Sequence, residues 1–419
     1  MEKSGKFRLT SLERNWILYD VGNSAFVLMV ATLIPIFFNA LAAAGGLSSV
    51  EYLAYWGYAS SAVTVITAVL SPILGTVADT KGFKKPIFIL CVFVGIVGCC
   101  AMGAASAWLP FLVIFVIAKV GFSGSLVFYD SMLSDVTTPE RMDEVSSRGY
   151  AWGYIGSCVP FVVCLGLVLG AGSIGISQMT ALNLALLLTA AWWLLTTLPL
   201  LKSYKQLYYV EVEKHAVRQS FARIGHTLRH LPEDKQVFWF LLAFFCYIDG
   251  VYTIIDMATA YGTALGLDTT GLLLALLVTQ IVAFPSALIF GRLSNKYPSA
   301  KLIPVCIAAY TGIAVFAFFL KSQWQFWVLA VVVGMFQGGV QALSRSHFAK
   351  IIPQEKSGEY FGLFDICGKG ASFLGTMIVS VGSQLTGSAN VGVGSIAILF
   401  VIGFVLFSIS TRTEETKQV

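Results

Sequence analysis

Seven ionisable residues stand inside long apolar runs of this 419-residue chain: Asp20, Lys119, Asp130, Asp249, Asp256, Asp365 and Lys369. A charge at the bilayer centre costs about 2.5–3.5 kcal/mol on insertion scales, so such residues face a cavity or a partner. Their chemistry is recognition and relay. Carboxylates take up an ammonium or a proton, and a lysine takes up a carboxylate. Lys119 lies about 11 residues inward from Trp108, and Asp249 about 13 residues outward from Gln236. At ~1.5 Å per helical residue both reach mid-membrane, where a cation and an anion at one depth suit a zwitterion. Asp256, two turns further out, is a candidate proton carrier or outer relay. Asp20 continues into a polar face with Asn23 and Ser24, and Gln337 and Gln341 share another face. Asp20, Asn23, Lys119, Asp249, Asp256, Gln337 and Gln341 are the candidate cavity residues.

Such residues need long helices to hold them, and the composition supplies them. The chain is 57% hydrophobic and 12% charged, with mean hydropathy +0.79, against about 25% charged residues in soluble domains. Apolar runs long enough for a ~30 Å hydrocarbon core recur twelve times. They fall at 15–40, 53–78, 86–106, 108–134, 148–170, 179–200, 236–262, 270–292, 300–320, 323–349, 358–386 and 390–410. The fold class is an all-α polytopic membrane protein of twelve transmembrane helices. The first run is too long for a signal-peptide core, and Thr10 with Glu13 reads as a capping box opening its helix.

Of the 27 Lys and Arg residues, only Lys321 falls in a connection on one side, and Lys119 and Lys369 fall inside runs. By the positive-inside rule the termini and the 201–235 connection are cytoplasmic. The net charge of +5 reflects that bias and points to no nucleic acid. The eight cysteines lie inside apolar runs without zinc-type spacing, and no histidine lies mid-membrane. No metal, cofactor or catalytic residue is expected. Gly368 with Gly370, and Gly392 with Gly394, complete no nucleotide fingerprint.

The connection at 201–235 splits the chain into two six-helix halves, 1–200 and 236–410, with a tail at 411–419. Within it Phe221, Ile224 and Leu228 follow helical spacing among Arg218, Arg223 and Arg229, which predicts a basic amphipathic helix. The halves repeat. Gly75 and Asp79, followed by Lys81, Lys84 and Lys85, join runs two and three. Gly291 and Asn295 join runs eight and nine, 216 residues later. Parallel repeats flanking a midplane site are one transporter architecture. Gly75 permits close helix approach. Asp79 is expected to accept free N–H groups at the start of run eleven, around Ser357–Glu359.

This Gly-x-x-x-Asp loop with its basic turn resembles the signature loop of the major facilitator superfamily. Trp16, Tyr19, Asp20, Asn23–Phe26, Ser71–Pro72, Gly149–Ala151, Gly153–Tyr154, Gln337–Gly339, Gln341–Ala342, Ser344–Arg345 and Phe361–Gly362 resemble one branch of it. That branch is the "unknown major facilitator" family, which includes autophagy-related vacuolar amino-acid effluxers. The resemblance implies a major facilitator fold and a secondary transporter exporting small solutes by alternating access, with amino acids the cargo in the fungal members. Short loops suggest a prokaryotic relative in the plasma or inner membrane, the vacuolar membrane being the alternative. A monomer is expected, with proton coupling as an option.

Asp130 and Arg148 in the first half, and Arg345 and Asp365 in the second, lie at corresponding depths with signs exchanged. They are expected to clamp each half near the cytoplasmic gate. Asp365 and Lys369 form an i,i+4 pair, acid first. Two other classes stay open: an intramembrane enzyme of the prenyltransferase kind, for which Asp130…Asp135 and Asp249…Asp256 are too widely spaced, and a sensor without flux.

Overall fold

The computed structural model describes residues 7–211 and 224–417. Span one, Ser11–Ala44, opens on the capping box: the Thr10 amide donates to Glu13 at 2.7 Å and the Glu13 amide to Thr10 Oγ1 at 3.1 Å. The helix breaks at Thr32, because Pro35 has no N–H for the Ala31 carbonyl and its ring crowds that turn. Span two, Ser49–Ala78, opens on a second capping box from Ser48 and Glu51. Spans three to six are Lys84–Gly103, Trp108–Ser131, Met142–Leu169 and Gln178–Ser203. Spans seven to eleven are Lys235–Ala264, Thr269–Leu293, Ser299–Ala317, Gln323–Ile351 and Ser357–Thr386. Span twelve is Ala397–Lys417, preceded by the short helix Ala389–Gly394.

Each half packs by the same scheme. Span one lies against five and six, and span seven against eleven and twelve; span three lies against four, and span nine against ten. Large apolar side chains such as Phe93, Val163, Leu195 and Val401 point outward, as lipid-facing helices require. The halves meet where span two packs on eleven, and span five on eight and ten. The hydrogen bonds and ion pairs that tie them together gather at the end of the bundle bearing the 201–235 connection, called here the linker end. In that connection residues 224–230 are helical. The rest of the expected amphipathic stretch, with Arg218, Phe221 and Arg223, lies outside the described residues.

Glycines set the closest approach. A Cβ on Gly75 would lie 2.1 Å from the Gly358 carbonyl oxygen, and one on Gly358 2.5 Å from that of Gly75. The backbones of spans two and eleven are therefore in direct contact, which only paired glycines allow. Gly75→Leu should lower the detergent-solubilised melting point by the equivalent of about 1–3 kcal/mol of overpacking. Gly57→Leu, on the same helix with nothing within 4 Å of its would-be Cβ, should leave it unchanged. Equal melting points for the two would contradict this packing.

Candidate functional site

At the linker end the loop after span two turns its acid onto span eleven. Asp79 Oδ1 accepts the Gly358 amide at 2.7 Å and Oδ2 the Glu359 amide at 2.8 Å. These are first-turn N–H groups with no partner in their own helix, at the positive end of its dipole. Lys84, fully buried, donates to Ser357 at 2.8 Å and lies 3.9 Å from Asp79 and 3.3 Å from Asp135. Lys81 and Lys85 sit outside this knot: Lys81 is exposed beside Glu211 at 3.5 Å, and Lys85 reaches the Tyr204 carbonyl.

The second copy of the loop makes a different contact. A Cβ on Gly291 would meet Ser147 Cβ at 2.8 Å, so span eight rests on span five as two rests on eleven. Asn295 donates to Glu144 at 2.6 Å, and Glu144 also holds Arg148 at 2.6 Å. Here the amide donates instead of accepting, and Glu144 of the opposite half supplies the acid. Asp143 beside it accepts from Ser346 and pairs with Lys350, both at 2.6 Å.

Between these contacts lies Arg345, 2% exposed. Its Nη1 donates to Asp130 at 2.9 Å and lies 3.7 Å from Asp20; Nε and Nη2 donate to the Ser146 hydroxyl and carbonyl. The guanidinium stacks within 4.3 Å of the Tyr150 ring centroid, 4.7 Å of Trp16 and 5.4 Å of Tyr129. Gly149 leaves room for it, since a Cβ there would lie 3.0 Å from both Arg345 Nη2 and Asp20 Oδ2. Asn23 braces Asp20 at 3.5 Å.

The expected clamp within each half is corrected. Asp130 pairs across the interface with Arg345, Arg148 turns to Glu144 on its own helix, and Asp365 accepts from Ser71 of the other half at 2.7 Å. The Lys369 side chain lies outside the described residues. Asp135, Asp143, Glu144 and Ser146 are the contributors that sequence reasoning passed over; first-turn acids at the start of span five were the available signal for Asp143 and Glu144. Outside the spans, Arg141 binds Glu13 at 2.7 Å, and that hydrogen bond raises the guanidinium's already high pKa.

Away from the linker end lie Lys119, Asp249 and Asp256. Lys119 is half-buried, its ammonium 4.7 Å from the Phe122 ring centroid and 6.0 Å from that of Phe26. Asp256 of the other half, which is exposed, lies close enough for the Lys119 charge to act on it. Asp249, expected beside Lys119, is fully buried: Gly375 has no side chain, so spans seven and eleven close over it. Its Oδ1 accepts the Gly375 amide at 2.9 Å and the Thr253 hydroxyl at 3.3 Å. Tyr252, one turn before Asp256 on span seven, is half-buried. Tyr154 donates to Gln341 at 3.0 Å across the halves, and Gln337 Oε1 is buried with no hydrogen-bond partner among the described residues. Among the described residues no group of three His, Cys, Asp or Glu side chains could hold a metal ion.

Two parallel six-helix halves, latched to each other at one end, define a secondary transporter of the major facilitator superfamily. Solved structures share the fold: the human organic anion transporter MFSD10 superposes with a TM-score of 0.71 at 14% identity over 94% of this chain and 98% of its own. A bacterial homologue of the iron transporter ferroportin in its outward-facing state gives 0.69 at 16% identity, over 96% and 98% of the two chains. A family profile described as "Vacuole effluxer Atg22 like" matches residues 44–418, and this chain belongs to that family. A Bacillus subtilis MFS-type transporter, YxiO, is 42% identical over 419 residues, 98% of each chain. Autophagy-related protein 22 of Saccharomyces cerevisiae is 27% identical over 283 residues, 58% of this chain and 53% of its own length. The chain thus spans about half of that fungal relative.

Removing one partner of a buried ion pair costs about 3–5 kcal/mol, because the other is left uncompensated. Arg345→Gln should therefore destabilise far more than Arg148→Gln, whose side chain is 23% exposed, and Arg345→Lys should not restore the loss, lacking the planar fork. Melting curves of the three purified variants check this; equal losses at 345 and 148 would refute it.

Proposed function

We propose that this protein is an alternating-access exporter of a small zwitterionic solute of the amino-acid kind, bound between Lys119 and Asp256. The observation that carries the reading is this opposite-charge couple, contributed by different halves. Lys119 receives the solute carboxylate and Asp256 its ammonium. Tyr252 and the Gln337–Gln341 face offer neutral donors and acceptors around them. Efflux and amino acids are suggested by the family description and by the autophagy-related relatives.

The latched linker end is the cytoplasmic gate, since Lys and Arg concentrate there. The described state is then open toward the outside, and export requires the Asp79 and Arg345 contacts to release. The membrane of a prokaryotic cell suits the short loops and the full-length Bacillus relative. The protein works as a monomer.

In proteoliposomes Lys119→Gln and Asp256→Asn should each abolish amino-acid counterflow while melting points stay within a few degrees. If the two charges only neutralise each other, the double neutral variant recovers flux; recovery would sink the solute role. Orientation has its own check. In a background without native cysteines, Arg229→Cys should resist an impermeant maleimide in intact cells, and Ser173→Cys should react. The reverse pattern would overturn the orientation.

A further inference from the structure

The first residues of the linker do not leave the bundle after span six. Residues 204–211 fold back over the loop that carries Asp79 and Lys84. The Val210 amide donates to the Asp79 carbonyl at 2.8 Å, and Val210 pairs with Thr80 as a parallel bridge. Gln206 holds the same loop twice, donating to the Ala78 carbonyl at 3.1 Å and accepting the Gly82 amide at 3.0 Å. Lys81 lies 4.8 Å from the Tyr209 ring centroid and 3.5 Å from Glu211.

The same segment is also held by Asp135, 2% exposed in the short helix Leu133–Val136 that follows span four. Its Oδ1 accepts the Leu207 and Tyr208 amides at 2.9 and 3.0 Å; its Oδ2 accepts the Tyr204 hydroxyl at 2.6 Å and Lys84 at 3.3 Å. One carboxylate thereby joins the linker to the buried lysine of the gate. Lys84 is shared between Asp135 and Asp79, while Asp79 must keep both oxygens turned to the Gly358 and Glu359 amides. Without the Asp135 charge, the buried ammonium has Asp79 as its remaining carboxylate and draws it off the helix start.

We infer that residues 204–211 form a clip, with Asp135 as its positioning residue, that holds the 79–85 loop in the posture in which it docks span eleven. Every contact of the clip lies within the first half, so it travels with that half when the gate opens. The linker is then part of the gate and sets how long it stays closed, besides tethering the halves. This inference rests on reading the linker end as a gate. Its test needs no solute and so stands apart from the identity of the cargo.

In a background without native cysteines, Ala342→Cys reports the gate: Ala342 is fully buried and its carbonyl accepts Ser146 across the halves at 2.8 Å. Maleimide labelling of this cysteine in purified protein should rise several-fold in Asp135→Asn, and also in Tyr204→Phe, which keeps the ring and removes one bond to Asp135. A disulfide between Thr80→Cys and Val210→Cys, paired residues of the bridge, should return Asp135→Asn to the slow rate when oxidised and not when reduced. Asp79→Asn serves as reference for an opened gate. If it raises labelling while Asp135→Asn and Tyr204→Phe do not, or if they lower only the melting point, the clip is overturned. Failure of the disulfide to restore slow labelling also overturns it. If Asp79→Asn itself leaves labelling unchanged, the gate reading falls and the clip with it.

Discussion

A guanidinium that cannot shed its charge is buried at the meeting of two halves, and its partners come from the other half. Arg345 belongs to span ten; Asp20, Asp130, Ser146, Trp16, Tyr129 and Tyr150 belong to spans one, four and five. Desolvating such a group is tolerable only with full hydrogen bonding and opposite charge. The halves therefore cannot separate partway at this end. Either the arginine sits in its cage or both it and the two carboxylates meet water. That condition makes the interface bistable, and it explains the glycine at 149 and the stacked Trp16 and Tyr129 rings, centroids 4.3 Å apart, which form a wall of the cage.

Around this charge lies a second latch of a different kind. The contact of spans two and eleven is backbone on backbone, with Asp79 closing it by taking two amides that every helix start presents. It is insensitive to side-chain rearrangement and depends on glycines at 75 and 358. The contact of spans five and eight pairs Gly291 with Ser147 and Asn295 with Glu144, side chain to side chain, with the acid on the other partner. Two pseudo-equivalent latches flank one buried arginine, so the linker end is held at three places around the axis. Away from that end, by contrast, Lys119 is half-buried and Asp256 exposed.

Much of this was legible in the chain because the bilayer imposes simple rules. Apolar length gives the spans, and Gly75 with Asp79 carries its geometry in its spacing. Thr10 and Glu13 announce a helix start that forms as read. What could not be read was which charge meets which. Asp130, Arg148, Arg345 and Asp365 share a depth, and sequence depth does not say whether a side chain points within its half or across. Asp249 and Asp256 lie on nearly one helix face, and only the absent side chain of Gly375 decides that the first is sealed against span eleven. Asp135 was invisible for another reason. Two of its partners are backbone amides of the linker, which no residue type advertises.

The central claim is reciprocal motion: release of the Arg345 cage at the linker end accompanies closure at the far end. Distances between spin labels in reconstituted protein test it most directly. One pair is Glu140 with Lys296, exposed on opposite halves at the linker end; the other is Ser106 with Lys321, exposed on opposite halves at the far end. Arg345→Gln should lengthen the first distance and shorten the second relative to the unsubstituted protein. Distances that stay fixed, or that lengthen together, would contradict the account.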